Sequence, residues 1–151
     1  MQSFAHFTPT PQKIVAQKPK TISSKEEFEV IKTHCMQGAN MLRRLENFED
    51  EPLLQTAYDI ARWHHERWDG QGYPDGLKGN DIPISAQIVS LADVYDALTS
   101  ERCYKKAFSH ETAMRMILNG ECGAFNPLLL ECLTDIQTEL QEKSQSIAVN
   151  R

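Results

Sequence analysis

Apolar residues recur at helical spacing in five segments of the chain after residue 22. The first segment follows two serines that can cap a helix, with glutamates three residues further on, as in a capping box. Pro52 suits the first turn of a second helix. A third helix is expected over about residues 85–100, a short one between Ser109 and Gly120, and a last one from Asn126.

The same periodicity predicts which side chains face the core. In the first helix the expected stripe is Phe28, Ile31, Cys35, Leu42 and Leu45. In the third helix it is Ile84, Ile88, Leu91, Tyr95 and Leu98. In the last helix it is Leu129, Cys132, Leu133, Ile136 and Leu140.

The ends of the chain lack this pattern. Residues 1–22 contain Pro9, Pro11 and Pro19 and predict an extended arm, because proline interrupts regular structure. Residues 144–151 are polar and are expected to fray. We therefore predict one domain over residues 23–143, which is ordinary for a chain of 151 residues.

The second helix runs into a segment with unusual chemistry. His64 and His65 are followed by a loop over residues 68–83 that holds four glycines, and Trp68 is expected to close the helix. Imidazole is the commonest protein ligand for divalent transition metals, so the pair favours a metal site under a mobile, glycine-rich flap. The alternative is a polar helix end that continues into an ordinary connector, although loops of this length are more often functional.

Other candidates are ambiguous from the residues alone. His34 lies at the edge of the first apolar stripe, where a histidine is usually a boundary residue and not a ligand. Asp93 lies opposite the third stripe, where it could be a solvated carboxylate or a ligand beside small residues that admit another helix. Arg102 and Lys105 could grip a phosphate or form a solvated basic patch. Asp96 is expected to cap a helix or support a ligand.

Composition narrows the function classes. A net charge of −5 and a pI near 5.5 argue against nonspecific nucleic-acid binding. Four widely spaced cysteines form no metal-binding pair and are expected to be reduced thiols in a cytoplasmic protein. No apolar run is long enough to span a membrane, and no signal-peptide core is found at the N-terminus.

Two stretches carry a resemblance to a known family. They read HHERWDGQGYPDGLKG, from His64, and ADVYDALTSERCYKKA, from Ala92. Over about residues 10–135 the chain resembles the later part of the HD-GYP domain, a branch of the HD metal-dependent phosphohydrolases. The resemblance implies an all-α fold of about five helices and a cluster of two or three iron, manganese or similar ions. It further implies hydrolysis of cyclic di-GMP.

The resemblance also assigns roles to residues. It implies that the metal is bound by His34, His64, His65 and Asp93. It also implies that Asp69 supports these ligands without binding the metal itself. It implies that the substrate is contacted by Gly72, Tyr73, Pro74, Arg102 and Lys105. The family has proline at the position of Cys103, although the two basic residues beside it are retained.

One departure from the family matters for activity. The His-Asp pair that names the superfamily would fall near Ser3 and Phe4, neither of which binds metal well, and the helices before it are expected to be missing. Three histidines could still hold a single ion, but a bridging carboxylate would be lost, so hydrolysis is expected to be impaired. The helices would then expose apolar surface, which favours a homodimer or a complex with another polypeptide.

Two alternatives to an enzyme stay open. The chain could be a noncatalytic module that binds cyclic di-GMP or docks on a diguanylate cyclase (GGDEF) partner through the Gly-Tyr-Pro loop. It could also be a fragment whose missing half is supplied by another chain.

Overall fold

The computed structural model describes residues 25–46, 48–101 and 106–149, with side chains as far as residue 144. Within these ranges the chain is all-α and forms no β-strand, as expected. The five helices are α1 (Lys25–Leu42), α2 (Pro52–Trp63), α3 (Ile84–Thr99), α4 (His110–Leu118) and α5 (Pro127–Val149), with a short 3-10 helix at Gly79–Asp81. The predicted arm and the capping serines lie outside the described residues.

Several helix boundaries follow local signals in the sequence. Pro52 occupies the first turn of α2, where its missing N–H costs nothing. Ser109 caps α4 by accepting the backbone N–H of Thr112 at 3.3 Å. Gly120, with φ of 72°, follows the end of α4 in the left-handed conformation that glycine tolerates best. These boundaries confirm the predicted starts of the second and fourth helices and the end of the fourth.

The core lies where α3, α4 and α5 meet. Buried apolar side chains from these helices pack together there with Phe125, which lies in the turn before α5. The members of this core are Leu91, Tyr95, Leu98, Ala113, Met114, Ile117, Phe125 and Leu133. In addition, α1 packs on α2 and α2 packs on α3, so α2 is held between α1 and α3. The end of α2 is thereby fixed against the middle of α1.

Part of each predicted stripe is not buried. Cys35 of α1 is fully buried, but Phe28, Ile31 and Leu45 are exposed. On α3 the first two residues of the predicted stripe are open, with Ile84 56% and Ile88 51% exposed, whereas Ala86, Gln87 and Ser90 are buried in the same turns. Cys132 and Ile136 of α5 are exposed as well. The predicted stripes are therefore correct only in part, because the first half of α3 buries a different side of the helix from the one that its apolar spacing indicates.

Two helix ends differ from the sequence-based expectation. The α2 helix ends at Trp63, before the histidine pair, so Trp68 does not close it. The α5 helix continues to Val149 where fraying was expected after Lys143. None of the described helices is long and apolar enough to cross a membrane.

Candidate metal centre

The three candidate histidines come together where α1 crosses the end of α2. His34 lies in the middle of α1, His64 caps the C-terminus of α2, and His65 follows it. The Nε2 atoms of His34 and His64 are 3.2 Å apart. The ring of His65 lies 5.0 Å from that of His34 and 4.1 Å from that of His64, measured between centroids. The convergence implied by the family resemblance is therefore present.

Hydrogen bonds to the backbone orient two of these rings. His34 Nδ1 lies 2.6 Å from the carbonyl oxygen of Ile31, and His64 Nδ1 lies 2.8 Å from that of Ile60. A carbonyl oxygen only accepts, so each Nδ1 carries the hydrogen and each neutral ring has a bare lone pair on Nε2. When both rings are neutral, the two lone pairs face each other and neither ring can donate to the other. A cation between them would satisfy both.

Cys35 is the fourth donor at this site. Its sulfur lies 3.6 Å from His34 Nε2, and one donor atom from each of Cys35, His34, His64 and His65 falls within 4.8 Å of the others. Burial raises the pKa of the Cys35 thiol, the charge of Glu66 raises it further, and its own backbone N–H lowers it. Two imidazole lone pairs with a thiol beside them form a donor set that suits a divalent transition metal.

His65 is kept neutral by its surroundings. Burial lowers its pKa to about 4, and the neighbouring His64, His34 and Arg67 lower it in the same direction. The ring of Tyr73 stacks on it with centroids 4.8 Å apart and an angle of 29° between the planes. A neutral imidazole keeps a lone pair available to a metal throughout the physiological pH range.

Glu66 holds the glycine-rich loop, residues 68–83, next to the histidines through hydrogen bonds. This side chain is 2% exposed, and its Oε1 accepts the backbone N–H groups of Asp75 and Gly76 at 2.7 and 3.0 Å. Its Oε2 is buried without a hydrogen-bond partner among the described residues. The backbone N–H of Tyr73 also donates to the carbonyl of His65 at 3.2 Å. The expected mobile flap is thus held at several points.

A second anchor joins the loop to α2. Arg62 donates two hydrogen bonds to the Asp75 carboxylate at 2.7 and 2.9 Å, and Trp63 Nε1 donates a third at 2.7 Å. The guanidinium of Arg62 is the main reason that the pKa of Asp75 is lowered, and the indole of Trp63 adds to the effect against a smaller opposing effect of burial. The paired fork geometry of arginine and carboxylate fixes direction as well as distance.

The loop is also joined to α3 through Arg67. Its Nη1 donates to the Ser90 hydroxyl at 2.6 Å and to the carbonyl of Glu66 at 3.1 Å. Its guanidinium lies 5.3 Å from the centre of the Phe125 ring, close enough for a cation–π contact. Ser90 is one of the small α3 residues expected to admit a close neighbour, and it is buried.

The remaining candidates occupy different positions. Asp93 is exposed and is not one of the four donors that converge, although its charge affects Arg67 and Tyr73. Asp69 accepts the backbone N–H of Gln71 at 3.0 Å, which stabilises the start of the loop. Asp96 accepts the Ser100 hydroxyl at 3.0 Å at the end of α3, a contact between two side chains that leaves its capping or ligand-supporting role a prediction. Arg102 and Lys105 lie outside the described residues.

Residue patterns did not identify Cys35 and Glu66. Cys35 was placed on the apolar stripe, which is correct for its burial but does not reveal a sulfur beside His34. Glu66 stands directly after the histidine pair, and the sequence analysis assigned it no role. The sequence feature that could have identified Glu66 is a carboxylate next to a glycine-rich loop, because the backbone N–H groups of such a loop need hydrogen-bond acceptors.

Comparison with known proteins identifies the protein family to which the chain belongs. The sequence profile of the HD domain family matches residues 6–124, and the chain belongs to this family. The resemblance to the HD-GYP branch is confirmed by relatives that are named as cyclic di-GMP phosphodiesterases.

Three relatives illustrate the similarity. A probable cyclic di-GMP phosphodiesterase of Vibrio cholerae is 44% identical over 108 residues, which cover 70% of this chain and 24% of the relative. A cyclic di-GMP phosphodiesterase of Thermotoga maritima is 40% identical over 121 residues, covering 80% and 32%. A 3'3'-cGAMP-specific phosphodiesterase 2 of Vibrio cholerae is 36% identical over 121 residues, covering 80% and 22%. The chain spans less than a third of the length of each of these relatives.

Proposed function

We propose that this chain supplies the metal-binding and loop-bearing part of a phosphodiesterase that acts on cyclic di-GMP or a related cyclic dinucleotide. The observation that carries the proposal is the convergence of His34, His64 and His65 beside Tyr73. Phosphodiester hydrolysis by HD-family enzymes depends on metal. Three histidines can bind a divalent ion, and the loop beside them can contact a substrate. The names of the relatives support the substrate class.

The histidines would bind the ion, and Tyr73 and Pro74 would contact the substrate. A divalent ion bound at the histidines would polarise a phosphate oxygen and lower the pKa of a bound water. His34 and His64 would present their Nε2 lone pairs, each oriented by its Nδ1–H bond to a carbonyl. Tyr73, stacked on His65, would offer a ring face to a base, and Pro74 would stiffen the turn.

Charge near the loop supports an anionic substrate. Lys32 Nζ lies 5.5 Å from the centre of the Tyr73 ring and 4.9 Å from that of Phe28. Lys32 donates to the Glu29 carboxylate at 2.8 Å and would have to leave it to face a phosphate beside Tyr73. We propose that Arg102 and Lys105 add positive charge at this side of the loop. Asp93, exposed near Arg67 and Tyr73, is proposed to ligate a further ion if one binds on that side.

Turnover by this chain is expected to be slow. The resemblance places Ser3 and Phe4 at the positions of the His-Asp pair, and neither offers a bridging carboxylate. Loss of a shared ligand would remove several kcal/mol of transition-state stabilisation, at a tenfold loss of rate per 1.36 kcal/mol. A single ion would bind and polarise the phosphate without the second ion that clamps it.

Calorimetry of the metal-loaded chain with cyclic di-GMP and with 3'3'-cGAMP tests the proposal. We expect binding of at least one of them, strongly weakened in His64→Ala and Tyr73→Ala, and unchanged in His110→Gln, a histidine on α4 outside the cluster. Hydrolysis, followed by chromatography of the products, should be far below about 1 per second.

Two outcomes would contradict the proposal. Binding that persists at full strength in both His64→Ala and Tyr73→Ala would remove the site from substrate recognition. Rapid turnover, on the order of 1 per second or more and abolished by His65→Ala, would refute the expected impairment. A chain that binds neither dinucleotide, yet binds a diguanylate cyclase through Tyr73, would favour the docking module.

A further inference from the structure

The centre contains a donor that the three histidines do not explain. Cys35 is fully buried, lies next to His34 in α1, and directs its sulfur towards the same point as the imidazoles. Adjacent residues on a helix diverge by about 100°, so both reach one point only when it lies between their directions. That point is where the end of α2 brings His64 and His65 against α1.

Two of the six distances between the donor atoms match those of a four-coordinate metal site, and the four donors as a group lie within 4.8 Å of one another. In a tetrahedral zinc site the bonds are about 2.0–2.1 Å to nitrogen and about 2.3 Å to sulfur. Two nitrogens are then about 3.3 Å apart, and a nitrogen and a sulfur about 3.6 Å apart. The observed distances are 3.2 Å between the Nε2 atoms of His34 and His64 and 3.6 Å between His34 Nε2 and Cys35 Sγ.

Hydrogen bonds between neutral rings do not account for this arrangement. The thiol can donate one hydrogen, which could satisfy His34 Nε2. His64 Nε2 would still direct a lone pair at His34 Nε2, because the Nδ1 atoms of both rings carry the hydrogens. A single cation bound to all four donors satisfies every lone pair at once.

We propose that Cys35 is the fourth ligand of a single zinc-class ion, in a site formed by His34, His64, His65 and Cys35. The inference shares with the proposed function only the placement of an ion on the three histidines. On binding, a metal–sulfur bond forms and the thiol proton passes to solvent. The thiolate favours zinc, cobalt or ferrous iron over manganese and magnesium, which prefer oxygen ligands.

Two consequences follow for the chain. Four protein ligands fill a tetrahedral site, so a water or a phosphate would reach the ion only if the coordination expanded to five or the sulfur were displaced. The ion also links the middle of α1 to the end of α2, and so reinforces the packing of these two helices. Cys35 would thus hold the ion in a closed state that differs from a three-histidine catalytic site.

Cobalt substitution of the full chain tests the assignment. Tetrahedral Co²⁺ bound to a thiolate shows a sulfur-to-cobalt charge-transfer band in the near ultraviolet. We expect the band in the native chain, its loss in Cys35→Ser, and its retention in Cys132→Ser, whose cysteine is exposed on α5. The serine variant should keep weaker visible cobalt bands from the histidines, and far-UV circular dichroism should show that it remains helical.

X-ray absorption of the zinc-loaded chain provides a second measurement. It should show one sulfur at about 2.3 Å together with nitrogens at about 2.0–2.1 Å. Visible cobalt bands without a charge-transfer band, or a zinc shell without sulfur, would overturn the role of Cys35 and leave the three-histidine site standing. Failure of the native chain to bind any metal would overturn both, whereas a sulfur-bound ion with no dinucleotide binding would refute only the proposed function.

Discussion

At the scale of single residues, His65 shows how the surroundings set the chemistry of the centre. It has the same side chain as its neighbour His64, yet burial and three nearby cationic or titratable groups lower its pKa to about 4. The unfolded chain has no such environment, so there the imidazole titrates near its usual value of about 6.5. Between about pH 4 and about pH 6.5, the unfolded state therefore binds a proton at His65 that the native state does not bind.

This difference predicts a pH dependence for the metal-free protein. Stability rises with pH wherever the unfolded state binds more protons, so the free energy of unfolding should fall as the pH is lowered from about 6.5 to about 4. Urea unfolding in the presence of a chelator at pH 7 and pH 5 measures it. His65→Gln, which cannot titrate, should show a smaller decrease over the same interval. An equal decrease in both proteins would place the effect on other groups.

At the scale of elements, the loop over residues 68–83 depends on one close approach. Gly72 lies so near the backbone of Glu66 and Arg67 that a Cβ at this position would overlap both. Backbone atoms cannot move aside as the end of a flexible side chain can. The Gly-Tyr-Pro segment can therefore lie against the end of α2 only with glycine at position 72.

Gly72→Ala should displace the loop and separate Tyr73 from His65. Forcing an extra methyl into a packed site costs about 1–3 kcal/mol, which urea unfolding would detect. Nuclear Overhauser contacts between the rings of Tyr73 and His65 should be lost, while metal binding at the histidines is retained.

Gly38→Ala on α1 is the matched control. A Cβ at Gly38 would meet only the Cβ of Ala61, at an ordinary 3.5 Å, so this change should stabilise the helix by about 0.5–1 kcal/mol. If Gly72→Ala kept the ring contacts and the stability of the native chain, the close approach would not matter.

At the scale of the whole molecule, large apolar side chains remain exposed on α1 and α3. Ile84 and Ile88 of α3 are more than half exposed and lie one turn apart. Contiguous apolar surface of this kind usually marks an interface. We therefore expect the chain to associate, either with itself or with another polypeptide.

Sedimentation over a range of concentrations tests self-association. We expect a rise in mass with concentration, reduced by Ile88→Glu because a charge would have to be desolvated in the interface. Leu128→Glu, at an exposed position on α5, is the control and should leave the association unchanged. A monomer at all concentrations would count against the homodimer and leave a different polypeptide as the partner.

The five helices and the histidine ligands could be predicted from local sequence patterns, whereas the Cys35 donor could not. Periodicity located five helices, with caps and glycine placing several ends within a residue, because these signals act through neighbouring residues. The run from His64 to Gly76 indicated a metal centre under a glycine-rich loop and the family that carries it. Local chemistry of this kind is readable because it depends on residues close together in the chain.

Which side chains come into contact depends on how the helices pack against one another. Cys35 and His34 lie about thirty residues before the histidine pair, and their donors converge because α1 crosses the end of α2. The exposure of Ile84 and Ile88, and the burial of Glu66 under the loop, likewise depend on which partners reach them. Periodicity assigns a face to a helix, but burial and coordination require a second element to cover that face, and that contact is set by packing across the fold.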